Sequence, residues 1–216
     1  MVRARRKRWF DPTLVGVFLA EARGGPLWKD LASADLREAI WRMEPPDRVQ
    51  LATLKRLDDV AYAFTHIIDA RFPFTYEHSE RVTSVVTKLA VYMGFPEDEV
   101  RDQRRAALLH DTGKLGISKR ILGKPGCPTD EEFEKIKEHT TLTYGILNRV
   151  SPSRYLADLA ASHHERLDGS GYHRSLSEKD LDTSARILAV ANVFDALSSD
   201  PPYRPTMALE KVFSIL

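Results

Sequence analysis

Ala107-Leu108-Leu109-His110-Asp111-Thr112-Gly113-Lys114 runs from an apolar helical stretch into a histidine-aspartate dyad, and Thr112-Gly113 then breaks the helix. A second apolar stretch, carrying Leu156, Leu159 and Ala160, runs in the same way into His163-His164-Glu165. Six of the seven histidines fall between His78 and His173. A lone histidine on an apolar helix face is most often a hydrogen-bonded core residue. Two dyads at the ends of apolar helices are instead what a pocket for two hard or borderline cations requires.

Outward from these dyads, apolar residues recur at helical rather than alternating spacing, so the chain is expected to be all-α. Leu51, Leu54, Leu57, Ala61, Phe64 and Ile68 form one stripe that ends at Pro73. The next helix is expected from close to Thr75, with His78, Val82, Val85, Leu89 and Tyr92 on its inner face, a stop at Gly94 and a new start at Pro96. Thr129 and Glu132 have the spacing of a capping box. The helix they open places Phe133, Ile136, His139, Thr143 and Ile146 on one side, which turns His139 toward the core. Asp168-Gly169-Ser170-Gly171-Tyr172 is too rich in glycine for a helix, and a last long helix spans about Thr183 to Ser199.

Composition narrows the function. The 216 residues suit one full domain, expected at 49–216, behind a basic arm and small helical lobe at 1–48. With 32 basic and 31 acidic residues the net charge is +1, which gives no general pull toward DNA, RNA or an anionic membrane. The single Cys127 excludes an internal disulfide and fits a reducing cytoplasm. The basic start Arg3 to Arg8 reads as a solvated arm, because Asp11, Pro12 and Gly16 interrupt the apolar stretch that would make it a signal peptide. No apolar run approaches the roughly 20 residues of a membrane span. The end at Val212-Phe213-Ser214-Ile215-Leu216 carries no stop signal and reads as a fragment boundary.

Taken together, His110-Asp111-x-Gly113-Lys114, His139, His163-His164-Glu165, Asp168-Gly169-Ser170-Gly171-Tyr172 and Phe194-Asp195-Ala196-Leu197 resemble the signature of the HD-GYP phosphodiesterases, from about Thr75 to Arg204. The resemblance implies a bacterial protein with an HD-domain helical bundle around a metal site, hydrolysing cyclic di-GMP to linear pGpG or GMP. It implies two divalent ions, iron or manganese. The ligands would be His78, His110, Asp111, His139, His163 and His164, with Asp111 bridging and Asn192 at the place of a late aspartate. Lys114 would bind a phosphate oxygen, and Gly171, Tyr172 and Arg204 would line the dinucleotide pocket. Phe10-Asp11-Pro12 resembles a stretch that often closes such a domain, here at the front.

Four positions depart from the pattern: Asn192 replaces a carboxylate, His173 the GYP proline, Pro201 an arginine, and Phe74 the glutamate of trinuclear members. Two metals at most are therefore expected. Asp195 reads as a supporting or structural residue rather than a substitute ligand. The departures keep two alternatives open, a catalytically weak or inactive sensor or partner-binding module that takes a regulatory protein or a second copy of the chain, and an HD phosphohydrolase for another nucleotide.

Overall fold

The computed structural model describes residues 10–22, 53–71, 77–150, 154–172, 174–199 and 207–216, with isolated positions between 28 and 40. The expected helix start near Thr75, and Phe74, His173, Pro201 and Arg204, lie outside the described residues. The chain divides into two compact units, residues 1–52 and 53–216. In the first, α1 (Pro12–Glu21) is opened by Asp11, whose carboxylate accepts from the backbone N–H of Thr13 at 2.8 Å and Leu14 at 3.0 Å. Val15 is its buried residue, and the rings of Phe18 and Trp28 meet edge to face at 6.0 Å.

The second unit is all-α, as its spacing predicts. Among the described residues it forms α2 (Leu54–Arg71), α3 (His78–Tyr92), α4 (Glu97–Leu109), α5 (Lys119–Leu122), α6 (Asp130–Val150), α7 (Arg154–Ala161), α8 (Thr183–Ser198) and α9 (Leu209–Ile215). Among the described residues of this unit, an isolated antiparallel bridge joins Asp168 and Ser177. The punctuation works as expected. Thr129 N–H donates to Glu132 Oε2 at 2.8 Å, and Glu132 N–H returns to Thr129 Oγ1 at 3.3 Å, closing the capping box. Asp182 caps α8 through Ala185 N–H at 2.8 Å, and Gly94 takes a left-handed φ of 79° between α3 and α4.

The core is built where α3, α4, α7 and α8 meet. Val82 and Val86 of α3 pack with Ala106 and Ala107 of α4, Ala157 and Ala160 of α7, and Ile187, Leu188 and Ala191 of α8. The alanines let these backbones approach closely, which brings the ends of α4 and α7 together. Two expected faces are corrected in part. On α3, Val82 is buried and Val85 and Leu89 pack against the core as expected, but Tyr92 is 89% exposed, and Ser79, Thr83, Val86 and Ala90 are buried as well. On α2, Phe64 is 45% exposed while Thr65 and Asp69 are buried beside Ala61 and Ile68. The cause is the contact with α4: Thr65 Oγ1 donates to Leu108 O at 2.8 Å, and Arg105 donates to Asp58 at 2.6 Å and to Leu54 O at 2.9 Å.

Candidate metal centre

His110 caps the C-terminal end of α4, and Asp111 leads into a 3₁₀ turn, Thr112–Gly116. That turn lies directly on α6, where a Cβ at Gly113 would overlap the His139 carbonyl oxygen and come within 2.6 Å of Thr143 N. Only glycine permits this approach. Thr143 Oγ1 fastens the junction by accepting from Gly113 N–H at 2.9 Å and donating to His110 O at 2.9 Å. The Thr112-Gly113 break therefore sets the dyad of α4 against His139 of α6.

Three of the imidazoles are held by one device. His110, His139 and His163 place Nδ1 2.7, 2.6 and 2.7 Å from the carbonyl oxygens of Ala107, Ile136 and Ala160, each three residues earlier. A carbonyl only accepts, so each Nδ1 carries the proton and each Nε2 turns a lone pair inward. Nδ1 of His78 is satisfied by the Asp195 carboxylate at 2.6 Å, which also accepts from Arg81 Nε at 2.6 Å and Nη2 at 3.1 Å. His163 and His164 meet at 4.2 Å between ring centroids, and His164 stacks on Tyr172 at 4.3 Å and 27°.

Asp111 stands in the middle, with its two oxygens facing different imidazoles. Oδ2 lies 3.4 Å from His110 Nε2 and 3.9 Å from His78 Nε2, whereas Oδ1 lies 3.5 Å from His139 Nε2 and 3.8 Å from His163 Nε2. Lys114 Nζ sits 2.5 Å from Oδ2. Two ligand sets result, His78-His110-Asp111 and His139-His163-His164, each with donor atoms within 4.8 Å of one another.

These residues fit divalent cations. Donors that share an ion at about 2.1 Å stand about 3.0–3.4 Å apart, close to the spacings seen here. His110 Nε2 and Asp111 Oδ1, one on the side of each set, are buried without a hydrogen-bond partner, which is costly unless something positive lies against each. His139 Nε2 and His163 Nε2 face each other at 3.1 Å with both Nδ1 atoms committed as donors, so two lone pairs oppose each other. A cation removes that repulsion.

Electrostatics prepare the same state. Burial lowers His110 to about 4 and holds His163 and His164 well below the ordinary histidine value, keeping them neutral and basic toward an ion. Burial pushes Asp111 upward, but Lys114, His110, His139 and His163 outweigh it and hold the carboxyl well below the ordinary range. Asp195, opposed by burial and favoured by His78 and Arg81, falls to about 2.

Of the sequence-expected ligands, His78, His110, Asp111, His139, His163 and His164 are thus brought together. Asn192 is buried on α8, and from the same helix Asp195 accepts a hydrogen bond from His78. Gly171 and Tyr172 lie against the His164 side; Arg204 is outside the described residues. One residue was missed. Asp69 of α2 is buried, accepts from Ser79 Oγ at 3.3 Å, and interacts electrostatically with His78, Asp111 and Lys114. Its signal in the sequence is a carboxylate next to Ile68 at the edge of an apolar stripe.

Residues 62–216 match the HD domain family. The chain is 36% identical over 215 residues to 3'3'-cGAMP-specific phosphodiesterase 3 of Vibrio cholerae, covering 100% of this chain and 47% of the relative. It is 48% identical over 141 residues to a cyclic di-GMP phosphodiesterase of Thermotoga maritima, covering 64% of this chain and 38% of the relative. A crystal structure of a cyclic GMP-AMP specific phosphodiesterase of V. cholerae matches with a TM-score of 0.65 and 33% identity, over 99% of this chain and 49% of that one. The chain spans about half or less of the length of these relatives. No helix among the described residues is long and apolar enough to cross a membrane.

Proposed function

The chain belongs to the HD domain family, and from that premise we propose that it is a metal-dependent phosphodiesterase that opens a cyclic dinucleotide, cyclic di-GMP or a close relative, to linear pGpG or on to GMP. The observation that carries this reading is the division of Asp111, whose two oxygens address separate imidazole sets. One carboxylate between two ligand sets suits a pair of divalent ions, iron or manganese by the softness of imidazole and carboxylate donors. Such a pair supplies Lewis-acid polarisation of the phosphoryl group and makes water a better nucleophile at neutral pH.

The chain's own groups do the rest. His78 and His110 with Asp111 hold one ion, His139, His163 and His164 with Asp111 the other, and Asn192 offers an amide oxygen on the His78 side. Lys114 exchanges part of its contact with Asp111 for a nonbridging phosphate oxygen and offsets charge growing there in the transition state. Gly171, Tyr172 and Arg204 bound the substrate. A cytoplasmic setting, and a regulatory partner or a second copy of the chain, complete the proposal.

3'3'-cGAMP is a second substrate to test, because the relative that matches this whole chain is specific for it. The test is anaerobic purification with iron or manganese, a metal count, and turnover of cyclic di-GMP and 3'3'-cGAMP side by side with Asp111→Asn. Two ions and guanosine-containing product, both lost in Asp111→Asn, support the reading. A metal-loaded parent protein that cleaves neither dinucleotide refutes it and leaves the sensor alternative.

A further inference from the structure

His110, His139 and His163 are oriented by backbone carbonyls, and His78 by the carboxylate of Asp195. Among the described residues no hydrogen bond plays that part for His164. Its ring is held by a face: Tyr172 stacks on it at 4.3 Å between centroids and 27° between planes. A histidine ligand needs a fixed ring, because rotation about its bonds swings the lone pair out of line.

The glycine-rich loop is built to deliver that face. A Cβ at Gly171 would lie 2.6 Å from Glu165 Cα, 2.6 Å from Glu165 Oε2 and 2.9 Å from His164 O, so only glycine lets the loop close on the His163-His164-Glu165 segment. Glu165 is itself buried, and its carboxylate accepts the backbone N–H of Leu176 at 2.9 Å and of Arg174 at 3.3 Å. The loop is thereby tied to the residue next to His164. From α6, the edge of Phe133 meets Tyr172 at 6.1 Å, and Lys137 Nζ lies 5.9 Å from the tyrosine ring centroid. Tyr172 is confined by neighbours from two elements while it bears on His164.

We propose that Tyr172 is a positioning residue whose ring, pressed on His164 by the Gly171-Glu165 closure, orients that imidazole toward His139 and His163 and so sets the affinity of the cation position these three form. The inference rests on the metal reading above. It gives the glycine-tyrosine segment a task besides lining a substrate pocket: one face of the Tyr172 ring is taken up by His164.

Manganese titration of the chelator-stripped full chain by calorimetry, with thermal melts run alongside, tests it. The parent protein and Tyr172→Phe are expected to bind two ions with matching affinities, because phenylalanine keeps the face. Tyr172→Leu is expected to weaken one ion by about 10- to 100-fold, the range for loss of a group that orients a ligand, and to leave the other unchanged. Tyr172→Met fills the same space without a planar face and gives the same result where the leucine variant does not fold. The inference is overturned if the leucine or methionine variant keeps both affinities, or if Tyr172→Phe loses the ion as they do, which would assign the effect to the hydroxyl. A parent protein that binds no manganese overturns the metal reading itself, and this inference with it.

Discussion

Asp195 Oδ2 accepts a hydrogen bond from His78 Nδ1 at 2.6 Å, and the same carboxylate takes two donors from Arg81. One buried carboxylate on α8 therefore fixes both the tautomer and the tilt of an imidazole on α3. Asp195→Asn keeps the shape and removes the charge, and should cost about 2 kcal/mol in urea unfolding of the metal-free protein at neutral pH. The folded carboxyl sits near 2 against an ordinary 3.8, so its stabilisation is present above 3.8 and is lost as pH falls toward 2. The gap between parent and variant should close over that interval. A gap independent of pH would contradict the charge argument.

Asp69 has the opposite sign. Burial raises its carboxyl from 3.8 to about 6, so between those values the folded chain keeps a proton that the unfolded chain has released. Stability of the metal-free protein should therefore decline from this group as pH rises from about 4 to about 6. Asp69→Asn removes that penalty. Its melting temperature should exceed the parent's above pH 6 and converge with it below pH 4, as differential scanning across that range would show.

Asn192, buried on α8, is proposed as a ligand on the His78 side, where its amide oxygen brings no charge. A carboxylate there would add Coulomb attraction to a divalent ion worth several kcal/mol at an effective dielectric of about 20. Asn192→Asp should raise occupancy at the weaker of two positions and raise cyclic dinucleotide turnover with it. Equal metal content before and after the substitution, measured by elemental analysis, would remove Asn192 from the ligand set.

Gly113 sits where a side chain would strike the His139 carbonyl and Thr143 N. Gly113→Ala must push the 3₁₀ turn away from α6, at about 1–3 kcal/mol of stability for an overpacked contact. Because Asp111 moves with that turn, manganese binding should weaken more than the melting temperature falls. An alanine variant with normal metal affinity would show that the two elements need not touch.

The sequence by itself determined those features whose causes are local. Helical spacing, the Thr129-Glu132 capping box, the stop at Gly94 and the break at Thr112-Gly113 act within a few residues, and each appears in the structure where the residues predict it. The dyads His110-Asp111 and His163-His164 were legible for the same reason: two adjacent polar residues at the end of an apolar helix are visible without knowing what lies opposite. Only the tertiary structure decided which part of a broad apolar stripe faces inward. On α2 the answer is Thr65 and Asp69 rather than Phe64, because the Thr65 hydroxyl and Asp58 engage α4. It alone also placed Asp195 on His78 and Tyr172 on His164. His78 and Asp195 are 117 residues apart, and no local periodicity or cap relates them. Their meeting follows from how closely α3 and α8 pack through Val82, Val86, Leu188 and Ala191, a property of the assembled core.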